Sequence, residues 1–207
     1  MTTPHDVLTF WFADGHEMLR AVWFTSDPAF DAECRERFAD TLRQARSGIL
    51  DSWADTVCGA LALTIVLDQF SRNLYRDTAE AFACDAKARS IARHAIARGF
   101  DRALTPVERI FLYLPFEHSE DMRDQDESVR LFESLSSTPC MTGPESVLDC
   151  AYRHRDVIRR FGRFPYRNAV LGRVSTEAEL AFLAEPDTDF AARDPPARGV
   201  STHVEPL

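Results

Sequence analysis

Charged and polar residues that could do chemistry occur in segments of this chain that otherwise have the composition of protein core. Residues 68–76, 115–121 and 161–168 mix arginines, histidine or acids with aromatic residues, and His154 lies on an apolar helix face. Burying a charge is costly unless the charge is paired. These side chains therefore either satisfy one another or bind a ligand. The candidate site residues are Asp68, Arg72, Asn73, Arg76, Glu117, His118, Glu120, His154, Arg163, Arg167 and Asn168.

Two kinds of chemistry fit these residue types. Arginine presents a planar fork of N–H donors that matches a carboxylate or phosphate group, so the arginines indicate an anion site. His118 has acids on both sides of it in the sequence. Because histidine changes charge near neutral pH, His118 could exchange protons with a substrate. The HExxH spacing of zinc sites and the glycine motifs of nucleotide sites do not occur, so we predict no metal ion and no cofactor.

The spacing of Asp68, Arg72 and Arg76 predicts that they share one helix face, because residues four apart are neighbours on a helix. An acid that precedes a base favours an ion pair, so this group is either a structural pair or an arginine fork for a ligand. His154 shares a predicted buried face with Ala151 and Ile158. That position is typical of a hydrogen-bonded core histidine and also allows a ligand-binding role.

Arg163, Arg167 and Asn168 lie in an irregular segment, residues 162–173, that is rich in aromatic residues. The aromatic residues predict that this loop packs against the protein instead of extending into solvent. A packed loop with several arginines must find acids or an anion. Its Arg-Asn pair repeats the pair at residues 72–73, so the two segments could contribute equivalent groups to one pocket.

Helical periodicity dominates the elements that must position these groups, and strand-like alternation is scarce. Helix ends are marked by start signals such as Asp27-Pro28 and stop signals such as Gly162. The pattern predicts an all-α domain of antiparallel helical hairpins over residues 1–184, followed by a proline-rich, flexible tail over residues 185–207. The predicted helices span residues 27–48, 53–70, 78–98, 105–114, 116–135, 144–161 and 175–183.

Pro115 is expected to end one helix, because proline cannot donate the backbone hydrogen bond that continues it. A new helix would then place Glu117, His118 and Glu120 in its first turns. Acids in that position complement the positive end of the helix dipole. The dipole explains the acids without a ligand, but it does not explain the histidine.

The overall composition limits the classes of function. The 207 residues carry a net charge of -9, which argues against nucleic-acid binding, since that needs a basic surface. The longest apolar run, residues 57–67, is too short to span a bilayer, so we predict no membrane association. Five cysteines without a CxxC pair are typical of reduced cysteines in a cytoplasmic protein. No oligomeric state is specified.

Several longer motifs follow one another along the chain: VLTFWF at 7–12, LDQFSRN at 67–73, FLYLPFEHSE at 111–120 and RFGRFPYRN at 160–168. Together with Trp23-Phe24 and Phe30-Asp31, they resemble the bacterial family of unknown function called DUF924, over about residues 5–183. Ser71 departs from the family, which usually has proline there. The resemblance implies a tetratricopeptide-like α-α superhelix and no known activity, so it transfers no catalytic role.

The leading hypothesis is a binding module with a preformed polar pocket for a small anionic ligand or a peptide carboxylate. The anion would be held by arginines and oriented by an acid, a histidine and an amide. The arginines that would hold the anion are Arg72, Arg163 and Arg167. The side chains that would orient it are Glu117, His118 and Asn168.

Two other hypotheses stay open. One is a hydrolase- or lyase-type enzyme in which His118 acts as acid and base with Glu117 or Glu120. The other gives the polar residues only a structural role, fastening helices to one another, and leaves function to the outer surface.

Overall fold

The computed structural model of the protein describes residues 1–13, 15, 19–23, 25–135, 137, 146–185 and 188. Every regular element within these residues is a helix, and they contain no strand. The prediction of an all-α protein is therefore confirmed. The predicted tail, residues 185–207, lies outside the described residues apart from Glu185 and Thr188.

Nine α-helices and several shorter helical turns make up the described part of the chain. The α-helices are α1 (Pro4–Trp11), α2 (Pro28–Ser47), α3 (Val57–Ile65), α4 (Ser71–Leu74), α5 (Asp85–Ala97), α6 (Pro106–Glu117), α7 (Met122–Glu133), α8 (Val147–Phe161) and α9 (Glu177–Leu183). A π-helical segment, Val66–Phe70, joins α3 to α4. Turns of 3-10 helix lie at Ala21–Trp23, Asp51–Asp55, Ala79–Phe82, Phe100–Ala103 and Pro165–Arg167.

Local capping signals explain where several helices begin and end. The Asp27 carboxylate accepts hydrogen bonds from two backbone amides in the first turn of α2. Thr105 and Glu108 cap each other's backbone at the start of α6. Gly162 ends α8 with φ of 69°, a left-handed conformation that glycine adopts without a steric penalty. These boundaries agree with those predicted from the sequence.

Two predicted helices are divided in the structure. The helix predicted over residues 53–70 begins at Val57, capped by the Thr56 hydroxyl, and its last turn widens into the π-helical segment. The helix predicted over residues 78–98 begins as a 3-10 turn, and α5 starts only at Asp85. The division of this second helix allows Phe82 and Asp85 both to contact Arg72.

Pro115 lies inside α6, so the predicted break there is wrong. The helix continues to Glu117, and α7 begins only after Asp121, whose side chain caps it. An interior proline removes one backbone hydrogen bond, and the buried side chains around Pro115 hold the turn in place. Glu117 and His118 therefore lie at the C-terminal end of one helix, and the dipole explanation for the Glu117 carboxyl does not apply.

The packing of the helices brings the candidate segments together. Helix α3 contacts α1, α5 and α6, and α6 also contacts α7 and α8. Helix α2 packs against the π-helical segment and α4. None of the described helices is both long enough and apolar enough to cross a bilayer. Buried aromatic rings fill the centre of the core: Phe10, Trp11, Phe12, Trp23, Phe30, Phe38, Phe70 and Phe111.

Candidate functional site

Asp68 is a fully buried carboxylate in the middle of the π-helical segment. Its Oδ1 atom lies 2.8 Å from His118 Nδ1 and 3.3 Å from Arg72 Nη1, and its Oδ2 atom accepts a 2.6 Å hydrogen bond from Gln69 Nε2. Burial opposes the charged form, but Arg72, His118 and these hydrogen bonds outweigh it and hold the pKa of Asp68 below its usual range. Asp68 is therefore an anion at neutral pH.

Arg72 and Arg167 share a second buried carboxylate, that of Asp85. Arg72 Nη1 and Nη2 donate to its two oxygens at 2.9 and 3.1 Å, and Arg167 Nη1 lies 3.4 Å from Oδ2. Both guanidinium groups also approach the ring of Phe82, with Cζ 5.6 and 4.5 Å from the centroid. Two arginines thus face two carboxylates, Asp68 and Asp85, and their charges cancel.

Side-chain donors fix the position of His118 at the end of α6. Gln125 Nε2 donates to the carbonyl oxygens of Glu117 and Ser119, both at 2.6 Å. Arg167 Nη2 donates to the carbonyl oxygen of His118 at 3.0 Å. The last carbonyls of a helix have no partner within the helix, so these bonds satisfy them and hold the backbone around His118.

The His118 ring is oriented by Asp68. A carboxylate can only accept, so Nδ1 carries the proton and Nε2 is the basic nitrogen. Nε2 makes no hydrogen bond with any residue that the structure describes. It is also not one of the buried atoms that lack a partner, so it reaches the protein surface. Burial and the charge of Arg72 outweigh the effect of Asp68 and lower the pKa of His118, so the ring is neutral at pH 7.

Glu117 and His154 form a second buried pair beside the first. Glu117 Oε1 lies 3.2 Å from His154 Nδ1, which is also 2.8 Å from the carbonyl oxygen of Cys150. Burial and the negative charge of Asp68 raise the pKa of Glu117 to about 8. Burial lowers the pKa of His154 to about 3. The two side chains are therefore a pair of neutral groups in contact at pH 7 and not an ion pair.

Six of the predicted site residues thus come together, and we call them, with Asp85, the central cluster. The six predicted residues in this cluster are Asp68, Arg72, Glu117, His118, His154 and Arg167.

The other five predicted residues bind different partners. Asn73 and Arg76 both donate to Asp31 on α2, at 2.7 to 2.9 Å. Arg76 is separated from Asp68 because α4 ends at Leu74, before the second helical turn that the spacing predicts. The shared face therefore extends only from Asp68 to Arg72.

Of the remaining three, Arg163 and Asn168 lie in the loop after α8, and Glu120 lies between α6 and α7 and contacts that loop. Arg163 forms a two-point ion pair with Glu179 of α9, at 2.6 and 2.8 Å. Glu120 accepts from Arg173 at 2.7 and 2.9 Å and from the backbone amide of Phe164 at 2.8 Å. Asn168 Nδ2 donates to the Ser175 hydroxyl at 3.0 Å. These contacts close the loop onto the domain.

Comparison with known proteins places the chain in a family. The model of "Bacterial protein of unknown function (DUF924)" matches residues 7–187. The chain belongs to the DUF924 family. It is also similar to a solved structure of a protein of unknown function from Agrobacterium tumefaciens, with 39% identity, a TM-score of 0.79, and coverage of 87% of this chain and 96% of that one. No curated protein matches.

This DUF924 chain also uses site residues that the sequence analysis missed. Asp85 follows an alanine-rich stretch and shows only the ordinary signal of an acid in the first turn of a helix. Gln125 carries no signal, because its role is to donate to backbone carbonyls. In the part of the chain that the structure describes, no three side chains of His, Cys, Asp or Glu converge as a metal ion would require.

Proposed function

We propose that the central cluster binds a small anionic ligand or a peptide carboxylate and exchanges a proton with it through His118. One observation carries this proposal. Asp68 Oδ1 contacts both His118 Nδ1 and Arg72 Nη1. The other nitrogen of the His118 ring, Nε2, and the Nε atom of Arg72 have no hydrogen-bond partner among the described residues. Both side chains reach the surface, with 14% and 21% of their area exposed.

Arg72 supplies the contact for the anion. Its Nη1 and Nη2 atoms hold Asp85, but the guanidinium group has five N–H bonds in one plane. The Nε–H and the second Nη2–H point in the same direction and can both donate to one carboxylate. The affinity would come from these directed hydrogen bonds, since the charges of the cluster already cancel.

The other arginines of the leading hypothesis are less suitable. Every nitrogen of the Arg167 side chain donates within the protein, to Tyr166, Asp85 and His118. Arg163 is held by Glu179. The proposal therefore narrows to Arg72 as the residue that binds the anion.

His118 supplies a base that is neutral at pH 7. Asp68 would stabilise the imidazolium that forms when Nε2 accepts a proton, from a water molecule or from a C–H bond next to the bound carboxylate. This is the chemistry of a hydrolase- or lyase-type enzyme. Asp68 takes the assisting role that the sequence suggested for Glu117 or Glu120, because Glu117 contacts His154 and Arg173 engages Glu120.

Two substitutions separate binding from proton transfer. Acetate, succinate, inorganic phosphate and a short peptide with a free C-terminus are titrated calorimetrically into wild type, Arg72→Lys and His118→Gln. Arg72→Lys keeps the charge but loses the fork, so affinity should fall about tenfold or more. His118→Gln should keep the affinity. Arg76→Lys, which changes an arginine held by Asp31, is the control and should bind like wild type.

Turnover is tested on nitrophenyl esters that carry a carboxylate and on small hydroxy acids, whose elimination gives an absorbing double bond. Wild type should turn over one class, and His118→Gln should not. If wild type neither binds nor turns over any probe, the central cluster is scaffolding, as the structural hypothesis holds.

The remaining expectations form part of the same proposal. The contacts of α5, α6, α7 and α8 with their neighbours along the chain support a tetratricopeptide-like superhelix. The free cysteines Cys34, Cys58, Cys84 and Cys150 support a cytoplasmic location. The net charge of -9 supports a protein that does not bind nucleic acid.

A further inference from the structure

Glu117 is buried without the partners that a charged carboxylate needs. Only 3% of its surface is exposed, and its Oε2 atom is buried with no hydrogen bond to the residues that the structure describes. Its Oε1 atom lies 3.2 Å from His154 Nδ1. A buried carboxylate is stable when it is paired with a cation or accepts several hydrogen bonds.

The proton positions around Glu117 follow from its neighbours. His154 Nδ1 lies 2.8 Å from the Cys150 carbonyl oxygen, which can only accept, so Nδ1 carries a proton. That N–H is directed to the Cys150 carbonyl, and Glu117 Oε1 is only in contact with the same nitrogen, at 3.2 Å. An ionised Glu117 would thus have a neutral ring beside it in place of a cation and would lie near the negative charge of Asp68.

Among the residues that the structure describes, no cation near Glu117 is available to offset that charge, because the arginines around the end of α6 have acid partners. The charged and titratable groups contributed by the segments packed around the end of α6 include Asp68, Arg72, Asp85, Arg167, His118 and His154, together with Arg89 and Arg93, which both pair with Asp124. The arginines among them contact Asp68, Asp85 or Asp124. The carboxyl of Glu117 is therefore held in its neutral form near pH 7.

We propose that Glu117 is a positioning residue that keeps the central cluster electrically neutral by holding a proton, and that loss of this proton sets the upper pH limit for binding an anion. With Glu117 protonated, Asp68 and Asp85 balance Arg72 and Arg167. Ionisation of Glu117 gives the cluster one negative charge, which repels an anionic ligand at Arg72 and makes His118 more basic. The binding part of this inference rests on the proposed function, whereas the protonation of Glu117 does not.

The protonation is tested on the ligand-free, full-length protein by NMR titration of the histidine rings between pH 5.5 and 9.5. The signals of His118 and His154 should show an inflection near pH 8, because burial and Asp68 raise the pKa of Glu117 to about 8. Glu117→Gln should abolish this inflection. Glu120→Gln, the same change three residues away in a carboxyl held by Arg173, should retain it.

Labelling the glutamate carboxyl carbons of wild type gives a second measurement that needs no variant. The Glu117 carbon should titrate near pH 8, and titration below pH 5 would overturn the inference. An inflection that persists in Glu117→Gln would also overturn it.

The effect on binding is measured with whichever carboxylate binds wild type. Its affinity should fall about tenfold between pH 6.5 and 9, because the cluster then gains one negative charge that repels the anion. In Glu117→Gln the fall should be absent. Equal affinity of wild type at both pH values overturns the inference and leaves the proposed function intact. If no carboxylate binds, the proposed function fails, and the carbon titration still decides the protonation of Glu117.

Discussion

Asp85→Asn should lower the free energy of unfolding by about 3 kcal/mol, because it removes the carboxylate that two arginines share. Arg72 keeps a second carboxylate, Asp68, at 3.3 Å. Arg167 is 4% exposed and keeps only neutral acceptors, the carbonyl oxygen of His118 and the hydroxyl of Tyr166. One buried positive charge is thus left without an anion.

The magnitude follows from the environment of Arg167. Breaking a buried ion pair by removing one partner costs about 3–5 kcal/mol. The lower end applies here, because Arg167 Nη1 is 3.4 Å from Asp85 and its guanidinium lies over the rings of Phe82 and Phe164, 4.5 and 4.6 Å from the centroids. These aromatic faces continue to stabilise the cation after Asp85 is neutralised.

Urea unfolding followed by circular dichroism measures the change. The double variant Asp85→Asn/Arg167→Gln should be more stable than the sum of the two single effects predicts, by about 1–3 kcal/mol, because the unpaired charge is gone. Asp40→Asn is the control, since Asp40 pairs with Arg43 on the exposed face of α2 and should change stability by less than about 0.5 kcal/mol. An Asp85→Asn protein as stable as wild type, or strict additivity in the cycle, would refute the reasoning.

Three further predictions concern the end of α6. If His118 has the proposed role, His118→Gln should change the free energy of unfolding by less than about 1 kcal/mol, because residues that serve function are commonly not optimal for stability. A loss of about 3 kcal/mol in urea unfolding would make His118 a scaffold residue. In wild type the pKa of Glu117 is raised to about 8, so the folded protein holds a proton that the unfolded chain releases above about pH 4.3. The stabilising contribution of this proton is fully present below that pH and falls by about 1.4 kcal/mol per pH unit as the pH rises toward about 8. Urea unfolding from pH 5 to 8 should therefore show wild type losing stability relative to Glu117→Gln, and a constant difference would contradict the buried neutral acid. Gln125→Leu leaves two buried carbonyl oxygens without donors and should lower the free energy of unfolding by about 2 kcal/mol in the same assay. The control is Gln44→Leu in α2, which removes only an exposed hydrogen bond to Asp40 and should change stability little. An equal loss in both variants would contradict the role of Gln125.

The features that the sequence predicts well depend on residues close together in the chain. The capping box of Thr105 and Glu108 and the stop at Gly162 involve neighbours within one or two turns, so their patterns are visible without a structure. The all-α class follows from the same helical periodicity.

The features that the sequence does not predict depend on distant partners or on irregular turns. Asp85 meets Arg167 across 82 positions of the chain, and nothing in the local sequence of either residue names the other. Pro115 has the signal of a helix break, but tertiary packing carries α6 past it. The early end of α4 directs Arg76 to Asp31, and a strict helical pattern cannot anticipate that.

The number of residues in the π-helical segment Val66–Phe70 affects the position of the polar side chains that it carries. A π-helical turn holds one residue more than an α-helical turn does, and a chain shorter by one residue could continue α3 into α4 with regular hydrogen bonds. That deletion would leave α4 in nearly the same orientation relative to α3, because five residues of π-helix turn the chain about as far as four residues of α-helix, but it would remove the widened turn that positions Asp68. A single-codon deletion here would therefore give a more regular helix and disturb the contacts of Asp68 with His118 and Arg72, so the extra residue of this turn serves the polar cluster and not the regularity of the helix.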